Sequence, residues 1–365
     1  MNILSDPSHD VRTPGQPSGG YEWWYFDAIS TDGRHSFVII FYEGNPFSGR
    51  YIDALEDETH PSPAPSQYPA VSISVYEEGE PVYYSFTEFD EEECHFGESD
   101  PSVQAGPHRM ERKGDGGLQY LLEMNEQLPS GDWLKAEVTF ASDDMTGSLF
   151  EEEHAASAAG HDWNLVQPRA EVEGTIAIGV RGEAMQTIAF RGVGYHDHNT
   201  GREPMRNEFT DWYWGRFHFD HATLVYYVMN RKNQNRKHRA WLIDRSNSRL
   251  LRSFDTIETT DKSWSIFGLR SARQLTFQAD GTEVRVQQSN LVDNGPFYQR
   301  FLSDGFLRMA GERPAVESAR GVTEYIYPAR IYSRLFWPLV RMRVRQSGGR
   351  PHWVQRSGRL YRWTW

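Results

Sequence analysis

The feature that most constrains the fold is a recurring pair of short aromatic or β-branched segments separated by a turn. The first pair is Tyr21–Ala28 and Phe37–Tyr42, which flank Thr31–Arg34 with its Asp-Gly step. Aromatic and β-branched side chains fit a pleated, half-buried surface, and an Asp-Gly step favours a tight hairpin turn. This region therefore predicts a β-hairpin and a sheet that begins near Tyr21.

The same pattern continues along the chain. Further strands are predicted at Val71–Tyr76, Val82–Phe86, Leu118–Met124, Trp133–Ala141, Ala170–Ile178, Met185–Phe190, Thr223–Met229, Arg239–Asp244 and Glu283–Gln288. Aromatic residues make up 14% of the sequence, which favours sheets over helices. Many short strands with frequent turns are typical of sandwiches and barrels. We therefore predict an all-β protein with few short helices.

The length of 365 residues favours two domains, because one ordinary core needs fewer. Residues 1–20 are polar and rich in Pro, Gly and Ser, and they predict a flexible N-terminal arm. We place the first β domain at residues 21–165 and the second at residues 166–365, with a crossover at His161–Arg169.

Charge and composition exclude several classes of protein. A net charge of -13 argues against nucleic-acid binding, which needs a basic surface. The single cysteine, Cys94, excludes an internal disulfide and a cysteine-based zinc site. Asn2–Pro7 lacks the basic and apolar parts of a secretory signal, and no apolar run reaches about 18 residues. The sequence predicts a cytoplasmic protein, either soluble or peripheral on the inner membrane.

The C-terminal stretch is positively charged, whereas the chain as a whole is negatively charged. From Arg320 to Trp365 Glu324 is the only acidic residue, and arginines alternate with Tyr, Phe and Trp. One interpretation is that Arg330–Arg345 docks on anionic lipid headgroups. The alternative is a closing barrel strand whose arginines point into water.

Chemically functional side chains are densest at Gly192–Asn199. On a strand Tyr195, Asp197 and Asn199 share one face, while the two histidines between them point to the other. If the first face lines an apolar pocket, burial raises the pKa of Asp197 and keeps it protonated near neutral pH. Such an acid can protonate a carbon-carbon double bond. The alternative is a purely structural role, in which the polar residues hold a turn.

Two further hypotheses concern the neighbours of this stretch. The rings of Trp212, Tyr213 or Trp214, in the aromatic run Asp211–Arg216, can stabilise a carbocation through their quadrupoles. Alternatively, His196 and His198 share a face and, with the histidines of His218–His221, would form a metal site.

Several motifs resemble the carotenoid 1,2-hydratase (hydroxyneurosporene synthase) family. They are Glu22–Ala28, Phe41–Phe47, Gly194–Asn199, Asp211–Arg216 and Pro296–Phe301. The resemblance implies two lipocalin-like β domains packed together, and addition of water to the terminal double bond of an acyclic carotenoid without metal or organic cofactor.

The resemblance also implies site residues. The proton donor proposed for the family is the Asp of a Tyr-x-Asp motif, which Asp197 after Tyr195 matches, and a crossover tryptophan is matched by Trp163. With these three as catalytic candidates, we expect the apolar isoprenoid substrate to be lined by Trp24, Tyr42, Asn199, Trp212, Trp214 and Tyr227.

Two other functions remain open. The same superfamily includes fungal pericyclases that catalyse Diels-Alder closures and plant tocopherol cyclases, so cyclisation of an apolar polyene is the second enzymatic hypothesis. The third is a non-catalytic carrier that binds a lipid or pigment, in which Asp197 has a structural part only.

Overall fold

The structure is a computed structural model that describes residues 2–57, 59, 62–114, 117–143, 149, 160–232, 237–254, 256–310 and 315–365. The strands are, in chain order, β1 (Asn2–Leu4), β2 (Tyr21–Ser30), β3 (His35–Glu43), β4 (Ala70–Glu77), β5 (Glu80–Glu88), β6 (Cys94–Phe96), β7 (Ser102–Ala105), β8 (His108–Lys113), β9 (Leu118–Gln127), β10 (Trp133–Ser142), β11 (His161–Gly179), β12 (Gln186–Gly201), β13 (Phe209–His218), β14 (Ala222–Arg231), β15 (Lys237–Asp244), β16 (Leu250–Ser253), β17 (Thr256–Trp264), β18 (Arg270–Ala279), β19 (Thr282–Asn294), β20 (Tyr298–Met309), β21 (Ala315–Ile326) and β22 (Arg345–Gln346).

The helices are short. The α-helices are α1 (Gly49–Glu56), α2 (Met205–Glu208), α3 (Trp337–Arg343) and α4 (Gly358–Arg362), and single 3-10 turns lie at Pro7–His9, Pro65–Gln67, Glu91–Glu93, Pro328–Arg330, Arg334–Phe336 and Trp353–Arg356. The prediction of an all-β protein with few short helices is confirmed. In the part of the chain that the structure describes, no helix combines the length and the apolar character needed to cross a bilayer.

The chain divides into two compact units. The first unit contains Met1–Met205 and Tyr332–Trp365, and the second contains Arg206–Ile331. This division differs from the predicted boundary at residues 165 and 166. The physical reason is the pairing of β11 and β12, which continue the first sheet between β10 and β2 instead of starting a new one.

The first unit is built on one curled sheet. Among the described residues, thirteen strands form it, in the order β22-β5-β4-β3-β2-β12-β11-β10-β9-β8-β7-β6, with β1 paired to β11. The predicted hairpin is confirmed as β2 and β3. One face of this sheet carries an aromatic core, in which the Phe26 ring meets Phe140 edge-on at 5.2 Å between centroids and Tyr120 at 5.8 Å.

The predicted crossover at His161–Arg169 is instead the first half of the long strand β11. Its register against β12 shifts twice, between Leu165 and Gln167 and between Gln167 and Ala170. These irregularities bend the strand and let it continue along the sheet. A stretch with a proline and several polar residues therefore belongs to a strand interior, which its composition did not indicate.

The N-terminal residues are held to the sheet rather than forming the expected loose arm. Strand β1 pairs in parallel with β11, and the Ser5 hydroxyl donates to the carbonyl of Leu165 at 3.0 Å. Asp10 is fully buried. Composition did not predict that this segment packs on the sheet, because a few polar contacts, rather than buried apolar area, hold it there.

The second unit has its own sheet and core. Its strand order is β16-β15-β14-β13-β21-β20-β19-β18-β17. Alternate residues of β13 and β14, among them Tyr213 and Tyr226, point into a buried hydrophobic cluster. The ring of Phe217 lies directly against Gly305 and Gly321, where an added Cβ would clash with it. Glycine at these two positions therefore lets the ring fill the core.

The C-terminal stretch is not the alternating strand considered above. Arg330–Arg345 contains the last residue of one 3-10 turn, a complete 3-10 turn at Arg334–Phe336, and α3, and only Arg345 enters a strand. The Arg345 guanidinium donates to buried Glu126 at 2.7 Å and also bonds Thr87. This ion pair attaches residues 332–365 to the first unit, although they follow the second unit in sequence.

Candidate active site

Strand β12 places Tyr195, Asp197 and Asn199 on one face, as their spacing predicted. All three side chains are buried, and Asp197 is only 3% exposed to solvent. Their partners across the β2 and β11 pairings include Tyr25 beside Asp197 and Trp163 beside Asn199. The long antiparallel pairing on both sides fixes the backbone from which these side chains project.

Three hydrogen bonds converge on the carboxyl group of Asp197. The indole N–H of Trp163 and the hydroxyl of Tyr195 both donate to Oδ2, each at 2.7 Å. The Asn199 amide donates to Oδ1 at 2.8 Å. The structure thus brings together all three catalytic candidates and one predicted substrate-binding residue, Asn199.

Behind Asn199 the network continues to two residues that the sequence did not single out. His161 Nε2 lies 3.0 Å from Asn199 Oδ1, and His161 Nδ1 lies 3.1 Å from the Tyr21 hydroxyl. Burial lowers the pKa of His161 to about 3, so the imidazole is neutral. The available signal was the spacing of His161 and Trp163, which puts both on the same face of one strand.

The directions of these hydrogen bonds follow from the chemistry of the groups. The amide oxygen of Asn199 can only accept, so His161 carries its proton on Nε2 and accepts from Tyr21 at Nδ1. With its oxygen turned to His161, Asn199 must present its NH2 group to Asp197. The chain from Tyr21 to Asp197 therefore has a single hydrogen-bonding direction.

Aromatic rings extend this face along β2 and β3. Trp23 lies 5.7 Å from the His161 ring and 6.5 Å from Tyr42, whose ring stacks on Phe86 at 5.5 Å. The predicted substrate-binding residue Tyr42 therefore belongs to the same aromatic wall as the Asp197 network. Trp23 is half-buried and completes the contact between them.

The placement of Trp24 differs from the prediction. Its ring stacks on His198 at 4.5 Å and is 1% exposed, on the opposite face of the sheet from Asp197. Adjacent strand residues point to opposite faces, so only one of the two tryptophans can lie beside the acid. That residue is Trp23, and Trp24 belongs to the core.

The remaining predicted substrate-binding residues lie in the second unit. Trp212, Trp214 and Tyr227 share one face of the β13–β14 pair, since Trp214 is directly opposite Tyr227 and Trp212 is two residues away. All three are buried, between 5% and 6% exposed. Tyr213 points to the other face, into the core of that unit.

The histidines of β12 form a separate buried cluster on the face opposite Asp197. His196 Nε2 lies 3.0 Å from a carboxylate oxygen of Asp10, and His198 Nε2 lies 2.8 Å from Glu22. Burial by itself lowers the pKa of His198, but a hydrogen bond and charge attraction to Glu22, with Asp10, outweigh it and raise the pKa. This cluster ties the N-terminal residues to β12.

A metal site at these histidines was the alternative hypothesis. Within the described ranges, no group of three or more His, Cys, Asp or Glu side chains has an arrangement that could hold a metal ion. His218 and His221 also have other partners, since His218 contacts Thr223 and His221 contacts Glu317. The imidazoles of β12 instead pair with carboxylates.

Comparison with known proteins identifies the family. The chain is 29% identical over 375 residues to a hydroxyneurosporene dehydrogenase of Chlorobaculum tepidum, covering 95% of this chain and 93% of that protein. It is 26% identical to an acyclic carotenoid 1,2-hydratase of Rubrivivax gelatinosus, over 59% of this chain and 50% of that protein.

Among solved structures, the crystal structure of CghA with Sch210972 matches with a TM-score of 0.57 at 12% identity, covering 89% of this chain and 98% of that chain. This likeness confirms the lipocalin-like fold. The family model described as "Carotenoid hydratase CrtC" matches residues 39–353. The protein therefore belongs to the carotenoid hydratase CrtC family.

Proposed function

We propose that this protein adds water to the terminal carbon-carbon double bond of an acyclic carotenoid or a related isoprenoid, with Asp197 as the acid. The observation that carries the proposal is the convergence of Trp163, Tyr195 and Asn199 on one buried carboxyl group. Membership of the carotenoid hydratase family supports an apolar, polyene substrate.

The surroundings of Asp197 suit a proton donor. The Asp197 carboxyl group is buried, and the three donors stabilise the carboxylate that forms when the proton leaves. Because two hydrogen bonds already converge on Oδ2, we assign the acidic proton to Oδ1. Asn199 then fixes the oxygen from which the proton departs.

The reaction is balanced by one water molecule. Asp197 transfers its proton to the terminal double bond, which forms a new C–H bond and leaves a tertiary carbocation with a carboxylate. The oxygen of a water molecule bonds to the cation, and the proton that it loses returns to Asp197. Aromatic rings on the same face, Trp23 and Tyr42, can stabilise the cation through their quadrupoles.

The test is an assay of purified protein with lycopene or neurosporene in lipid vesicles, with products weighed by mass spectrometry. We expect a product heavier by one water, and we expect Asp197→Asn to lower the rate by about 10²- to 10⁴-fold while the protein stays folded. Asp162→Asn is the matched control, because Asp162 lies on the neighbouring strand and accepts from Asn2 outside the network.

Three outcomes would contradict the proposal. Full hydration by the Asp197 variant would remove its role as the acid. A product of unchanged mass would indicate cyclisation or isomerisation. Tight pigment binding without any product, in both wild type and variant, would indicate a carrier.

A further inference from the structure

The C-terminal cap, which we define as Tyr332–Trp365, has a charge opposite to that of the whole protein. It contains eight arginines and no lysine, aspartate or glutamate, in a chain whose net charge is -13. Such a segregation of positive charge is an electrostatic feature with long reach, since the fields of neighbouring cations add. The cap therefore attracts anionic surfaces that the rest of the chain repels.

Only part of this charge is used inside the protein. Arg345 pairs with buried Glu126, and Arg343 lies over the ring of Tyr84 at 4.6 Å. By contrast, four arginines of the cap are exposed to solvent without a carboxylate within 4.0 Å among the described residues, and they are Arg341, Arg350, Arg356 and Arg359. These four side chains are available to an external anion.

The same segment exposes large apolar side chains. Leu335 and Trp363 are each 78% exposed, Trp353 is 65% exposed and Leu360 is 41% exposed. Isolated exposed hydrophobic residues are ordinary, but four of them interleaved with arginines in so short a stretch are not. Tryptophan and leucine beside cations are typical of surfaces that enter the headgroup region of a bilayer.

The exposed residues belong to one small folded element. The Gln355 amide lies 3.1 to 3.3 Å from the carbonyl oxygens of Arg341, Met342 and Val344, which places Trp353–Arg356 against the end of α3. The Tyr361 hydroxyl donates to the carbonyl of Arg343 at 2.9 Å, which attaches α4 to the same place. These contacts hold α3, Trp353–Arg356 and α4 together, so their exposed side chains belong to the same folded element.

We propose that the C-terminal cap docks the protein on the surface of an anionic lipid bilayer. Guanidinium groups bind phosphate oxygens with two parallel hydrogen bonds, and the tryptophan and leucine side chains enter the interface beside them. A second copy of this chain, whose net negative charge lies outside the cap, is the alternative occupant and is an outcome of the experiment below. The proposal goes beyond the hydration reaction and does not depend on it.

The experiment measures flotation of the full chain with vesicles, without any carotenoid. Vesicles of phosphatidylcholine containing phosphatidylglycerol are compared with vesicles of phosphatidylcholine alone. We expect binding to the anionic vesicles only, weakened by added salt. Arg356→Gln with Arg359→Gln should reduce the binding constant by about 25-fold, on the basis of about fivefold for each basic residue at such a surface.

A second variant separates the apolar contribution. Trp353→Ala with Trp363→Ala should also weaken binding, while Trp264→Ala is the matched control, because Trp264 is 68% exposed and lies in the second unit. Thermal unfolding shows that each variant is folded. Equal binding to both vesicle types, or an equal loss with Trp264→Ala, would overturn the proposal, and so would concentration-dependent dimerisation through the cap without vesicle binding.

Discussion

The hydrogen bond from Trp163 to Asp197 gives the sharpest test of the acid. In Trp163→Phe the ring is largely retained, but the N–H that donates to Oδ2 at 2.7 Å is lost. A hydrogen bond to a charged group contributes about 1.5 to 3 kcal/mol. If roughly half of the carboxylate charge has developed in the transition state, about 0.8 to 1.5 kcal/mol is lost, which is roughly a 4- to 12-fold fall in kcat.

The pH-rate profile of the same variant should shift in a defined direction. The proposed mechanism needs protonated Asp197, so we expect the rate to fall at alkaline pH. A donor that stabilises the carboxylate should move this fall to lower pH. Removing the donor should move the alkaline limb of the pH-rate profile upward by about one to two pH units. The measurement is kcat as a function of pH for wild type and variant.

Trp24→Phe is the control for lost ring volume, because Trp24 is equally buried but stacks on His198, on the other face of the sheet. We expect this variant to keep the wild-type pH profile. An unmoved alkaline limb in Trp163→Phe would refute the assignment of Asp197 as the acid that Trp163 stabilises. The same slowing in both variants would mean that packing, and not the hydrogen bond, sets the rate.

Two further predictions concern stability. The raised pKa of His198 stabilises the fold below its unfolded pKa of 6.5, and this contribution is lost as pH rises through the higher folded-state pKa. Urea unfolding should therefore show a stability that falls above neutral pH, and His198→Gln should lack this part of the fall. In Gly201→Ala the new Cβ would overlap the ring of Tyr21 and displace it from the hydrogen-bond network. We expect a loss of about 1 to 3 kcal/mol in unfolding free energy, together with slower hydration, and wild-type kinetics would show that Tyr21 is not needed.

The parts of the fold that the sequence predicted are those set by local alternation. The hairpin of β2 and β3 and the shared face of Tyr195, Asp197 and Asn199 follow from a period of two, which each strand carries in its own residues. Alternation did not indicate that Trp24 lies on the face opposite Asp197, because it shows that neighbouring residues differ in face but not which of them lies beside Asp197. That choice depends on the register between strands.

The parts that could not be predicted depend on contacts between distant segments. His161 reaches Tyr21 across 140 residues of sequence, and Asp10 reaches His196 across 186. Such pairs leave no periodic signal, since each partner is a single polar residue in an ordinary context. The ion pair between Arg345 and Glu126 similarly holds the C-terminal residues on the first unit. The sequence had instead predicted that they belong to a continuous second domain.

The two faces of β12 have a practical consequence for work with this protein. Asp10 contacts the imidazoles of His196 and His198 on the face of β12 opposite Asp197, so deleting the first ten residues would remove this partner from both histidines. A truncation or a fused tag at this end is therefore a change on the strand that carries Asp197. Purification handles are better attached elsewhere, and kinetic data from shortened chains should be interpreted as data on an altered site.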